Sequence, residues 1–145
     1  MCPGLPASTS LKKASALIRI LIADDHDAVR RGVRSVLLSR EDIEICAEAA
    51  DGRDAIDHAL KCRPDVIILD LTMPVMGGFA AAIELRRLLP DTPVLFYSMH
   101  QGEHLVNEAK RIGVHGFVSK SDISEALLQA IDALLDNKTF FPDSP

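Results

Sequence analysis

The stretch Val66–Gly78, VIILDLTMPVMGG, decides how the chain is read. Val66 to Leu69 run unbroken as branched apolar residues into the carboxylate of Asp70. A run with no polar alternation marks a strand buried on both faces, as at the centre of a parallel sheet. A charge at its end is either a cap for the following helix or a reactive group held at a rim. Met73-Pro74 and Gly77-Gly78 then shape a sharp loop, where proline supplies rigidity and glycine conformational freedom.

Outward from this strand, the pattern repeats. LIRILIA, Leu17–Ala23, is another branched run, stopping at Asp24. Val29, Val33, Val36 and Leu37 recur at helical spacing and predict a helix from about His26 to Ser39. IEICAEA, Ile43–Ala49, alternates apolar and polar, so it reads as a strand nearer an edge. Ala55, Ile56, Ala59 and Leu60 mark a second helix that stops before Pro64. Phe79, Ala82 and Ile83 open a third that ends near Pro90. TPVLFYS is a fourth strand, and Leu105, Ala109 and Ile112 lie on a fourth helix with Gly113 at its C-terminal cap. VHGFVSK is a short fifth strand. The last helix carries Ile123, Ala126, Leu127, Ala130, Ile131, Leu134 and Leu135 on one face, with Asp122 or Ser121 expected to cap it.

Five strand–helix units in strict alternation predict an α/β fold: a parallel sheet with helices on both faces. Ligands of such sheets sit at the carboxyl ends of the strands. Those ends carry Asp24-Asp25, Asp70, Ser98 and Lys120, while strand two ends in Ala50-Asp51. Any one of these has an ordinary structural reading: an aspartate caps a helix, a lysine is a solvated charge, a serine is a turn hydroxyl. Together they form a complementary set. Near a surface, each close pair of carboxylates repels by about 1–4 kcal/mol, so either some are protonated or a cation sits among them. Carboxylates with a backbone carbonyl and water are the ligand set of Mg²⁺. An aspartate can attack phosphorus, and the metal, a lysine and a hydroxyl would then stabilise the transferred group.

Bulk properties agree. The chain has 145 residues, 48% of them hydrophobic, enough for one core. The net charge of −5 argues against nucleic-acid binding by this segment. Residues 1–16 read as a flexible leader rather than a signal peptide, and no window approaches the about 18 apolar residues of a membrane span. Cys2, Cys46 and Cys62 form no CxxC motif and no even framework, so they read as ordinary thiols of a reduced, cytoplasmic protein.

The segments LIADDHDAVRRGV (Leu21–Val33), DVIILDLTMPVMGG (Asp65–Gly78), VLFYS (Val94–Ser98) and GVHGFVSKSD (Gly113–Asp122) resemble the receiver domains of two-component response regulators, of NarL/LuxR type. The resemblance implies a flavodoxin-like (βα)5 receiver fold with strand order 2-1-3-4-5, a receiver over residues 17–136, and a tail or linker start over 137–145. It makes Asp70 the phosphoacceptor, charged by a sensor histidine kinase. Asp25 would hold Mg²⁺, or Mn²⁺ in its place, directly, and Asp24 through water; Asp70 and the main-chain carbonyl of Thr72 complete the protein ligands. Ser98 would bond the phosphoryl oxygen, Lys120 would pair with the phosphate, and Ser98 and Phe117 would form the switch. Repacking of the fourth helix, fifth strand and fifth helix would follow, with a phosphorylation-dependent homodimer as one outcome. The output would be transcription through a separate DNA-binding domain; the alternative is a stand-alone receiver working through protein–protein contacts.

Departures from the common pattern are Ser121 where many receivers carry proline, which leaves a cis Lys120-Ser121 peptide open, and Met99, a bulky group expected to restrict the inward rotation of Phe117. Thr72 and His100 are candidates for tuning hydrolysis. A haloacid-dehalogenase-type phosphatase would want a second aspartate where Thr72 stands. A dinucleotide-binding module would want Gly-x-Gly-x-x-Gly where ADDHDA stands. A degenerate receiver would lack part of the acidic, hydroxyl and lysine set.

Overall fold

The computed structural model describes residues 16–99 and 102–142. The leader expected over residues 1–16 therefore falls, except for Ala16, outside the described residues, as do His100 and the last three residues of the tail.

The elements in chain order are β1 (Ile18–Ala23), α1 (Asp27–Leu37), β2 (Ile43–Ala49), α2 (Gly52–Cys62), β3 (Val66–Asp70), α3 (Gly78–Leu88), β4 (Val94–Ser98), α4 (Glu103–Ile112), β5 (Gly116–Ser119), a 3₁₀ turn (Lys120–Asp122) and α5 (Ile123–Leu135). The strands form one sheet in the order β2-β1-β3-β4-β5, and all four pairings are parallel. β2, the strand with the alternating sequence, is an edge.

The unbroken apolar run of β3 has a direct cause. Ile67 and Leu69 face a core shared with α2, α3 and α4, whereas Val66 and Ile68 face a second core shared with α1 and α5. Both faces are dry, so both sets of side chains must be apolar. Each side chain so buried is worth about 1.5–3 kcal/mol.

Helix ends follow local chemistry. Asp51 caps α2, its carboxylate accepting the Asp54 N–H at 2.8 Å. Gly113 ends α4 at φ 88°, in the left-handed region that glycine reaches without strain. The start of α5 departs from expectation. Neither Ser121 nor Asp122 caps it with a side chain; Ser119 Oγ instead accepts the Ser121 N–H at 3.2 Å, winding Lys120–Asp122 into the 3₁₀ turn. The fifth strand is consequently shorter than the sequence predicts, and Lys120 stands one residue beyond it. No peptide among the described residues is cis, Lys120-Ser121 included.

The loop after β3 also differs from its reading. The left-handed residue there is Val75, at φ 68°, and not a glycine. The glycines are needed for space: a Cβ on Gly78 would lie 2.3 Å from the Asp70 carbonyl oxygen, and one on Gly52 2.3 Å from that of Met76. At the other edge, residues beyond α5 return to the sheet. Phe140 bridges Gly116 in parallel, taking the Phe117 N–H on its carbonyl at 2.8 Å and donating its own N–H to His115 at 3.0 Å.

Cys46 and Cys62 are not isolated thiols. Their sulfurs lie 2.9 Å apart, unbonded, between β2 and the last residue of α2. No helix among the described residues is long and apolar enough to cross a membrane.

Candidate functional site

Parallel strands bring the ends of β1, β3, β4 and β5 to one rim. Asp24 follows β1, Asp70 ends β3, Ser98 ends β4, and Lys120 follows β5. The register pairs Asp70 with Tyr97 and Ser98 with Ser119, so the row runs continuously across the sheet.

Asp24 is fully buried, an arrangement that requires a partner for every lone pair. Its Oδ2 accepts the Tyr97 hydroxyl at 2.5 Å and the Lys120 ammonium at 3.1 Å. Its Oδ1 accepts the His26 N–H at 2.8 Å and lies 3.3 Å from the His26 ring Nδ1. Arg30 from α1 fixes the backbone beneath, its guanidinium donating to the Asp24 carbonyl at 2.5 Å and to Glu48 at 2.9 Å. Burial alone would raise the Asp24 pKa; the bonds from Tyr97, His26 and Lys120 outweigh it and hold the carboxyl below its ordinary value.

Asp70 is differently placed. It is 3% exposed, with Lys120 Nζ at 3.1 Å from its Oδ1, and it accepts the backbone N–H of Thr72. Burial and the neighbouring charge of Asp24 raise its pKa, with Lys120 and the Thr72 N–H opposing them. Lys120 thus stands equidistant from two buried carboxylates, with its ammonium 4.8 Å from the centre of the Tyr97 ring. Asp25 projects outward, its Oδ1 3.1 Å from the His26 Nδ1.

Carboxylate and imidazole atoms of Asp24, Asp25, His26 and Asp70 all lie within 4.8 Å of one another. Three hard carboxylate oxygens at that spacing, one of them exposed, fit an octahedral Mg²⁺ or Mn²⁺ that keeps waters. The fit carries a condition: Asp24 is already saturated by hydrogen bonds, which leaves Asp25 and Asp70 the freer donors.

Ser98 is buried beside this group at the end of β4. Phe117 is 1% exposed and packs edge-to-face on Phe96, with centroids 6.4 Å apart. It already points inward, while Met99 is 71% exposed.

Tyr97 and His26 were not singled out by their sequence context. Tyr97 reads as one more core residue of β4, yet a buried phenol needs an acceptor, and as the chain's only tyrosine it carries that signal.

The family described as response regulator receiver domain matches residues 20–132 of the chain. The oxygen regulatory protein NreC of Staphylococcus epidermidis is 36% identical over 124 residues, covering 85% of this chain and 57% of NreC. The transcriptional regulatory protein DegU of Brevibacillus brevis is 35% identical over 114 residues, covering 79% of this chain and 48% of DegU. The chain thus spans about half the length of these curated relatives. Among solved structures, a LuxR-family two-component response regulator from Aurantimonas sp. SI85-9A1 superposes with a TM-score of 0.81 at 36% identity, covering 86% of this chain and 89% of that one. With its sheet order, its acidic rim and these likenesses, the chain belongs to the response regulator receiver domain family.

Proposed function

We propose that Asp70 accepts a phosphoryl group from the phosphohistidine of a sensor histidine kinase. The observation that carries this reading is the placement of a single ammonium, Lys120, 3.1 Å from both Asp24 and Asp70 in a pocket almost closed to water. One Asp70 oxygen attacks phosphorus, the P–N bond breaks, and the imidazole leaves with a proton. Mg²⁺ held directly by Asp25, Asp70 and the Thr72 carbonyl, and by Asp24 through water, would neutralise charge on the phosphoryl oxygens. Lys120 is within reach of a phosphoryl oxygen on Asp70, and the Ser98 hydroxyl at the neighbouring strand end would bond another. Tyr97 and His26 keep Asp24 ionised and in place.

Phosphorylation adds about −1.5 to −2 charges at this rim. Drawing Lys120 and Ser98 toward them would shift the population of packings on the face made by α4, β5 and α5. Phe117 transmits the shift, since its N–H is bonded to the Phe140 carbonyl and its ring lies in the core. The output we infer is control of transcription through a DNA-binding domain outside this chain, with dimerisation through the same face.

Asp70→Asn should abolish labelling by an acyl phosphate in the presence of Mg²⁺; persistent labelling places the acceptor elsewhere. Amide exchange over residues 103–119 should change when a phosphate mimic and Mg²⁺ are added to the unmodified chain. Identical exchange rejects the switch.

A further inference from the structure

The strand β2 contains a bulge. Ile45 pairs with Ile20 and Ala47 with Leu21, which leaves Cys46 as the extra residue. Side chains of a regular strand alternate between faces, but a bulge turns two successive residues to the same side. Ile45 packs against the core of α1 and α5, whereas Cys46 and Ala47 both pack against the core of α2. The bulge therefore aims the Cys46 thiol at α2, whose last residue is Cys62. The two sulfurs stand 2.9 Å apart, about 1 Å from a covalent S–S separation.

Both cysteines are only partly buried, so a small oxidant can reach them. Arg19 from β1 lies against the pair: its guanidinium donates to the Cys62 carbonyl and to Glu44, and its charge acts on both sulfurs. A thiolate beside a guanidinium is the form that reacts with peroxides. We propose that Cys46 and Cys62 are a redox modification site, oxidised by hydroperoxides to an intramolecular disulfide that ties the edge strand β2 to the end of α2.

The order of events follows from the pair. Burial first, and then the contact with Cys62, push the Cys46 thiol up to about 12, so it remains an S–H. Cys62 Sγ attacks the hydroperoxide, the O–O bond breaks, the Cys62 proton passes to the departing oxygen, and the sulfur becomes a sulfenic acid as the alcohol or water leaves. Cys46 then attacks that sulfur, the S–O bond breaks, and a second water departs with the Cys46 proton. Two thiols and one hydroperoxide yield one disulfide, one alcohol (or water) and one water. A thiol reductant reverses the step by exchange.

The bond has a route to the phosphorylation rim. The first residue of α2, Gly52, donates its N–H to the carbonyl of Met76 at 2.9 Å, within the loop that follows Asp70. Fixing the far end of α2 to β2 constrains the helix on which that loop leans.

The test uses the full chain carrying Cys2→Ser, which leaves only these two thiols. After hydrogen peroxide, alkylation of free thiols and digestion without reductant, the peptides holding Cys46 and Cys62 should leave as one cross-linked species. Dithiothreitol should split it. With Cys46→Ser added, Cys62 should persist as a sulfenic acid captured by dimedone. Two thiols still open to alkylation, or two separately overoxidised cysteines, would overturn the proposal. The unsubstituted pair carries the main result, so it does not depend on how well the Cys46→Ser chain folds.

Discussion

Replacing Lys120 with Met keeps the aliphatic stem and removes one buried charge. The ammonium it deletes lies 3.1 Å from Asp24 Oδ2 and 3.1 Å from Asp70 Oδ1, on side chains that are 0% and 5% exposed. At an effective dielectric constant of about 20, each contact is worth roughly 5 kcal/mol of Coulomb attraction before the desolvation of the lysine is deducted. Removing one partner of a buried ion pair costs about 3–5 kcal/mol net, because the carboxylates left behind remain buried. Here two remain, no more than 4.8 Å apart, and at the same dielectric constant they would repel by roughly 3 kcal/mol or more. Protonation of a carboxyl relieves part of that repulsion, so we expect at least the lower bound, a loss of about 3 kcal/mol or more. For a chain of this size that lowers the melting temperature by about 10 °C.

The assay is thermal and urea denaturation of both chains, in EDTA and in saturating Mg²⁺. A divalent cation among Asp24, Asp25 and Asp70 supplies the charge the variant lacks, so it should stabilise Lys120→Met more than the unsubstituted chain and at least halve the deficit. An unchanged midpoint in EDTA would refute the bridging role of Lys120. A deficit identical with and without Mg²⁺ would refute the cup as a cation site.

Three other outcomes can be measured alongside. Tyr97→Phe removes a hydroxyl that donates to buried Asp24 at 2.5 Å; hydrogen bonds to charged groups are worth about 1.5–3 kcal/mol, so urea unfolding should show at least 1.5 kcal/mol lost, and a neutral effect would deny the bond its weight. Gly78→Ala places a Cβ 2.3 Å from the Asp70 carbonyl oxygen and 2.8 Å from the Leu71 Cα, so the backbone carrying Asp70 must shift, at about 3 kcal/mol or more and with weaker Mg²⁺ binding. Gly32→Ala, with nothing within 4 Å of the new Cβ inside α1, should instead gain about 0.5–1 kcal/mol; a similar effect at both glycines would refute the crowding argument. His115 accepts the Val94 N–H on Nδ1 at 3.1 Å, and burial, then the charge of Arg86, hold its pKa below the ordinary 6.5. The unfolded chain therefore takes up its proton first, and this contribution to stability is full above pH 6.5 and lost as pH falls from there toward the lower folded value. His115→Asn keeps an acceptor without the titration, so the difference in midpoint between the two chains should change across that window; a constant difference would refute it.

Much of this was legible in the sequence because burial on both faces leaves no other option. The runs at Ile20–Ala23, Val66–Leu69 and Val94–Tyr97 are apolar throughout since each residue meets one of two cores. The rim was legible for a related reason: a polar residue that ends such a run is displaced from the core by geometry alone. Other features depended on distant chain. The partner of the Tyr97 hydroxyl lies 73 residues earlier. The bulge at Cys46 left no mark, because IEICAEA satisfies simple alternation and the extra residue is defined only by its pairing with β1. The 3₁₀ turn before α5 was hidden because three of the four successive polar residues from Ser119 to Asp122, namely Ser119, Ser121 and Asp122, each satisfy a capping rule; in the structure it is Ser119 that accepts the Ser121 N–H.

The two aspartates joined by Lys120 are chemically unequal, and their inequality divides the labour of the rim. Asp24 has donors on both oxygens, from the phenol, the ammonium, a backbone N–H and the imidazole, so its geometry is overdetermined and its charge secured. Asp70 has the shared ammonium and one backbone N–H, while its burial and the charge of Asp24 both oppose ionisation. In the phosphoryl transfer proposed above, this less solvated carboxylate would be the better nucleophile of the two. A phosphoryl group on Asp70 would raise the charge on that side of Lys120 and leave Asp24 unchanged, and an ammonium balanced at equal distances responds to a small imbalance. Motion of Lys120 toward Asp70 pulls on the turn that begins at Ser119, and Ser119 is the register partner of Ser98. The proposed chemistry at β3 and the packing at β5 would thereby be joined through one side chain.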